Sequence, residues 1–155
     1  MNRTSTCCFT GHRALSLSEI EVIQASLRQQ VETAIHDGYQ RFLCGMANGA
    51  DLLFAQVVAE LKQQYPITLE AAIPYQARLQ ANNPAFQQLL SACDIIKVHS
   101  PVYHRGCYQK RNRYMVACSS RIIAVYNGEA QGGTHATLQY ARQHGLKVII
   151  ISAKA

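Results

Sequence analysis

The sequence predicts an α/β fold: one three-layer sandwich built on a mostly parallel sheet. Short apolar or β-branched runs alternate with longer segments of helical period along the whole chain. No composition shift, repeat or low-complexity stretch marks a linker. The length, 155 residues, is that of one ordinary domain, so residues 1–155 are read as a single unit. Parallel neighbours need long right-handed crossovers, and those place helices on both faces of the sheet.

Ser5 to Thr10 reads as the first strand. Ser18 and Glu21 have capping-box spacing and open a helix with the apolar face Ile20, Ile23, Leu27, Val31 and Ile35, which Gly38 ends. Arg41 to Cys44 is a short second strand. Beyond Gly45-Met46-Ala47-Asn48-Gly49-Ala50-Asp51, a helix from Asn48 presents Leu53, Phe54, Val57, Val58 and Leu61 and stops before Pro66. Ile67 to Ile73 is the third strand. Asn83 can cap a short helix with Pro84 at its first position, and Asp94 to His99 returns as the fourth strand. Gly106 to Ser119 is helical, Arg121 to Tyr126 is a strongly β-like fifth strand, Thr134 to His144 a helix closed by Gly145, and Leu146 to Ser152 the last strand.

Composition excludes several classes. No run approaches the roughly eighteen apolar residues of a membrane helix, and Met1-Asn2-Arg3-Thr4 leads directly into a strand instead of a signal peptide, so a cytoplasmic protein with no membrane partner is expected. The six cysteines, at 7, 8, 44, 93, 107 and 118, form no CxxC pair and are read as reduced thiols. His99, His104 and Cys107 lack the paired spacing of a structural zinc site, so no metal is expected. The net charge of +6 is concentrated: Lys97, Arg105, Lys110, Arg111, Arg113 and Arg121 lie in a stretch without one carboxylate. Such a run is either a solvated face or a field that attracts anions, phosphate above all.

In parallel sheets ligands bind outside the carboxyl ends of the strands, near the point where strand order reverses. Three loops there are rich in glycine or small polar residues: Thr10-Gly11-His12-Arg13, Gly45 to Asp51, and Asn127-Gly128 through Gly132-Gly133-Thr134. Their glycines either make turns or let the backbone approach a ligand, and the helices from Asn48 and Thr134 aim N–H groups at whatever sits above. Thr10 and Thr134 offer hydroxyls, and Arg13 and Arg111 can clamp phosphate. Asp51 either caps its helix or accepts from a ribose hydroxyl. His12 is a candidate general acid, a ligand-contacting donor or an exposed loop residue. Tyr103, Tyr108, Tyr114 and Tyr126 either stack on a base or line helix–sheet contacts.

Phe9-Thr10-Gly11-His12-Arg13, Gly45-Met46-Ala47-Asn48-Gly49-Ala50-Asp51, Tyr108-Gln109-Lys110-Arg111-Asn112-Arg113-Tyr114-Met115 and Gly132-Gly133-Thr134 occur in this order. Together they resemble the YpsA-like branch of the SLOG superfamily. The resemblance runs from first strand to last helix and implies a Rossmann-like fold, a homodimer and a nucleotide-derived ligand: a signalling nucleotide, or an NAD-related or ADP-ribose compound. The related Lonely guy phosphoribohydrolases have an arginine on the corresponding helix, which carries over to Arg111. Their glycine–threonine loop continues to an essential glutamate, and Thr137 stands at that place here; threonine cannot act as a carboxylate base. DNA-processing protein A has similar first and second glycine loops and binds single-stranded DNA.

Three readings follow. In the first, Thr10, Gly11, His12, Arg13, the loop Gly45 to Asp51, Arg111, Asn112, Met115 and Gly132 to Thr134 bind a nucleotide as a sensing module. In the second, the same pocket is a hydrolase with His12, Arg111 and a carboxylate from Asp51 or Glu129 as catalytic candidates. In the third, Arg105, Lys110, Arg113 and Arg121 contact single-stranded nucleic acid.

Overall fold

The structure, a computed structural model, describes residues 2–153. Six strands form one sheet: β1 (Thr6–Gly11), β2 (Arg41–Cys44), β3 (Thr68–Ile73), β4 (Ile95–Val98), β5 (Arg121–Tyr126) and β6 (Lys147–Ser152). The helices are α1 (Leu17–His36), α2 (Ala50–Leu61), α3 (Pro84–Ser91), α4 (Cys107–Ala117) and α5 (Gly133–Gln143), with single 3-10 turns at Arg3–Ser5 and Gln76–Gln80. The spatial order is β4-β3-β2-β1-β5-β6, and every pairing is parallel. The chain therefore builds outward from β1 to β4, then crosses by α4 to the other side of β1. That crossing is the reversal of strand order at which doubly wound sheets open a crevice.

Period-two alternation divides the core. Cys7 and Phe9 of β1, Phe42 of β2, Leu69 of β3 and Ile123 of β5 pack with Ile23, Leu27 and Val31 of α1, Phe54 and Val58 of α2 and Phe86 of α3. On the other face Cys8, Leu43, Ala72, Ile122 and Ala124 meet Met115 and Val116 of α4 and Leu138 and Ala141 of α5. Phe9 and Phe54 stack with centroids 4.6 Å apart, which seats α2 against β1 directly beneath the loop ends. The fold is the Rossmann-like three-layer sandwich that the sequence predicts, with a sheet that is parallel throughout.

Several element ends shift by a residue or two from the sequence reading, α4 running over Cys107–Ala117 instead of Gly106 to Ser119, and two shifts bear on the site side of the fold. Helix α1 begins two residues early, with Ser16 as its N-cap residue, and Ser16 Oγ lies 2.8 Å from Glu19 Oε1. The pair Ser16/Glu19 has the same spacing as Ser18/Glu21, and the earlier start satisfies more backbone groups without changing the buried face. Helix α2 begins at Ala50 behind Gly49 instead of at Asn48, because Asn48 and Gly49 are used to turn the chain.

Candidate functional site

At the strand-order reversal, over the carboxyl ends of β1 and β5, lies a cavity of about 590 Å³. The first loop contributes Phe9 to Arg13, the second Ala47 and Asp51, helix α4 Arg111, Asn112 and Met115, and the last loop Asn127, Glu129 and Gln131 to Thr134. A second cavity of about 520 Å³ between α4 and α5 adjoins it, shares Asn112, Gly132 and Gly133, and has Tyr108 and Tyr140 in its walls. All three glycine-bearing loops thus meet at one place, as their positions after parallel strands require.

Arg111 forms the floor. Only 3% exposed, it donates from Nη1 to the carbonyls of Gly45 at 2.6 Å and Ala72 at 3.0 Å and from Nε to Asn112 Oδ1 at 2.8 Å. It therefore ties the β2–α2 loop to β3 as well as placing a cation under the cavity. Asp51, also buried, accepts from the Ala47 N–H at 3.0 Å. Burial pushes its carboxyl up to about 6, against the opposing pull of the Arg111 guanidinium, the Ala47 N–H and Arg13. Arg13 and Arg111 both lie over the Tyr108 ring, at 4.9 and 5.5 Å from its centroid. Tyr108 is thereby the shared platform of two arginines, a cation–π arrangement that orients Arg13 without consuming its N–H donors, whereas Arg111 already spends Nε and Nη1 on protein acceptors.

The two helix N-termini at the site differ. Neither has a side-chain cap, but at α2 the Ala50 N–H donates to the His12 carbonyl at 3.0 Å, so its first N–H is taken up by the first loop. At α5 no side chain among the described residues caps the helix, whose first turn, Gly133 and Thr134, lines the cavity. No backbone bond takes up the N–H groups of Gly133 and Thr134 among the described residues, so these groups and the positive end of the α5 dipole face the cavity.

The glycines sort in the same way. A Cβ on Gly11 would meet Ala50 Cβ at 2.7 Å, one on Gly45 would meet Arg111 Nη1 at 2.6 Å, and one on Gly49 would meet the Arg13 carbonyl oxygen at 2.2 Å. These three glycines serve contact between loops. Gly133 has no neighbour within 4 Å of such a Cβ and no positive φ; its small size leaves space over the α5 N-terminus.

Of the other predicted residues, Thr10, Gly11, Arg13, Ala47, Asp51, Asn112, Met115, Gly132, Gly133 and Thr134 line the cavity. Met46 and Ala50 are fully buried and, with Gly49, shape the loop from behind; Met46 has a φ of 60°, in the left-handed region. Gly45 and Asn48 open instead onto a smaller neighbouring cavity. His12 lines the main cavity, with its Nε2 accepting from the Asn127 N–H at 2.8 Å, so its proton sits on Nδ1 and the ring pins the last loop. Glu129 reaches the cavity from an exposed position. Thr137 is buried, and its hydroxyl donates to the Gly133 carbonyl at 2.8 Å; it braces the glycine turn. Asn127 and Gln131 lie in the third loop that the sequence marks but are not among its candidate site residues, because nothing in a glycine-flanked loop indicates which polar residue lines the cavity.

The basic stretch does not form one face. Arg121 is buried at the other end of its strand, paired with Asp37 at 2.8 Å and lying over Tyr39. Tyr114 donates to the buried carboxylate of Glu70, which also pairs with Arg41. His104 contacts Ser100 and His99 contacts Tyr114. No group of three or more potential metal ligands occurs among the described residues.

The model of the YspA SLOG family (YpsA) matches residues 7–154. The UPF0398 protein of Bacillus pumilus is 23% identical over 132 residues, 81% of this chain and 71% of the relative. Among solved structures, DNA processing protein A of Streptococcus pneumoniae is similar with a TM-score of 0.70 at 16% identity, over 95% of this chain and 50% of that one. The DNA processing protein A of Helicobacter pylori, described for its single-stranded DNA binding mode, has a TM-score of 0.68 at 14% identity, over 94% and 64% of the two chains. This chain thus spans half to under two thirds of those two proteins, and likeness at that identity is likeness of fold. With the family model running from β1 to the end of β6, and the same motifs gathered around one cavity, the chain belongs to the YspA SLOG family.

Proposed function

We propose that the protein binds a nucleotide or nucleotide-derived phosphate compound in the cavity between β1 and β5, as a sensing or binding module. The observation that carries this reading is the uncapped N-terminus of α5, which opens on the cavity at the strand-order reversal beside Arg13 and Arg111. A phosphate there accepts from the free N–H groups and the Thr134 hydroxyl and is neutralised by the arginines. The cavity between α4 and α5, walled by Tyr108 and Tyr140, is large enough for a base. Glu129, at the exposed rim, suits ribose hydroxyls. A homodimer belongs to the same reading, and sedimentation of the free protein tests it.

The test is a panel of nucleoside mono- and diphosphates, cyclic nucleotides, NAD and ADP-ribose, measured by thermal shift and calorimetry with product analysis of each binding compound. Arg111→Ala is a poor variant, since it strips buried carbonyls of their donor and costs about 1–3 kcal/mol for each unpaired group. Thr134→Val and Arg13→Ala leave those bonds intact. The expected result is a stoichiometric complex without turnover, weakened roughly tenfold or more by Arg13→Ala. Product formation would replace the sensor by a hydrolase and point to Asp51 or Glu129. Absence of any complex, with single-stranded DNA bound and a steep loss of affinity in salt, would replace it by nucleic-acid binding through Arg105, Lys110 and Arg113, without the buried Arg121.

A further inference from the structure

Beside the main cavity is a smaller one of about 100 Å³, lined by Arg13, Gly45, Ala47, Asn48, Pro74, Arg78 and Tyr108. Arg13 and Ala47 line both cavities, so the two adjoin. The smaller has about the volume of three water molecules, room for one tetrahedral anion.

Its chemistry is one-sided. Among the described residues no carboxylate lines it, and neither Arg13 nor Arg78 has an ion pair. Each guanidinium is instead oriented by an aromatic ring, Arg13 over Tyr108 at 4.9 Å and Arg78 over Phe86 at 5.1 Å. Arg78 spends one N–H on the Met46 carbonyl at 3.3 Å, and a guanidinium has five. Asn48 Oδ1 accepts from Asn83 at 3.4 Å, which leaves the Asn48 amide nitrogen as a donor. Two unpaired, pre-oriented cations and an amide donor around a space of that size are the makings of an anion site. The bond to the Met46 carbonyl, in a loop that takes a positive φ at Met46, holds the Arg78 side chain at the rim.

We propose that this cavity is a second anion subsite. The ligand of the main cavity then carries at least one further phosphate beyond the group held at the α5 N-terminus, with Arg13 between the two. The ligand class is a nucleoside diphosphate or longer phosphate chain, or a diphosphate-linked conjugate, and a simple monophosphate fills only half of the site. This rests on the nucleotide reading above.

Calorimetry with matched nucleoside 5′-mono- and diphosphates of the four common bases tests it, on wild type, Arg78→Ala, Arg78→Lys and Asn48→Ala. For the base that binds, the diphosphate is expected to bind wild type tenfold or more tighter than the monophosphate. Arg78→Ala abolishes that advantage while the monophosphate affinity stays within twofold, Arg78→Lys retains part of it, and Asn48→Ala reduces it without touching Phe86. A diphosphate no tighter than its monophosphate, or an advantage that survives both Arg78→Ala and Asn48→Ala, overturns the second subsite and leaves nucleotide binding standing. A loss equal for both ligands in Arg78→Ala and Asn48→Ala assigns these residues a structural role and also overturns it. If neither ligand of any base binds wild type, the nucleotide reading falls and the subsite with it.

Discussion

Asp51 holds a charge that its surroundings disfavour. Its carboxyl is raised from an ordinary 3.8 to about 6, chiefly by burial, so the folded protein takes up a proton that the unfolded chain has already released. Stability therefore declines as pH rises through the window from about 4 to about 6 and is level above it, with at most about 3 kcal/mol carried by the full shift. Asp51→Asn keeps an acceptor for the Ala47 N–H and removes the titration. Urea unfolding at pH 4 to 7 should show the wild type losing stability relative to Asp51→Asn as pH rises; parallel profiles would show that the carboxyl is not destabilised by burial. Above pH 6 its negative charge also offsets Arg111, so the same substitution leaves Arg111 a net attraction for anions and should tighten phosphate binding at pH 7.

At the scale of elements, the two helix N-termini at the site do opposite work. The first N–H of α2 is taken up by the fold, and its loop is so closely packed that a Cβ on Gly49 would meet the Arg13 backbone. Gly49→Ala combines a clash with a positive φ, and should lower stability by about 2 kcal/mol or more, read as a drop in Tm. The end of α5 is open. Gly133→Ala should leave Tm nearly unchanged, within about 0.5 kcal/mol, yet weaken nucleotide binding several-fold by placing a methyl over the exposed N–H groups. The reverse pattern, an intact Gly49→Ala protein and a destabilised Gly133→Ala one, would mean that the assignment of the two ends is wrong.

In the whole molecule, the sheet buries what its chemistry would otherwise expose. Cys7, Cys8, Cys44 and Cys107 are fully buried free thiols, while Cys93 and Cys118 are half-buried. Burial pushes the Cys8 thiol up to about 12 and Cys93 to about 11, which suppresses the reactive thiolate. With an aromatic disulfide reagent under native conditions, four of the six thiols should react only at the rate of global opening, and a bound nucleotide should slow them further. Fast modification of all six would mean that the core opens locally.

Period and turn chemistry are local properties, and that is why the strands, the crossover helices, the parallel sandwich and the three loop positions were all readable from residues such as Phe9, Gly11, Phe54 and Gly132. That Arg13, Arg111, Asp51 and Thr134 line one cavity was readable too, because loops after parallel strands share one edge. Only the tertiary structure decided which glycines serve the fold and which leave space, that Arg121 belongs to Asp37 and Tyr39 at the opposite edge, that Thr137 turns to its own helix, and that Arg78 comes to stand beside Arg13. Each of these depends on contacts between segments far apart in the chain. Strand order sets those contacts, and strand order follows from how long connections cross the sheet, which no short stretch of sequence specifies.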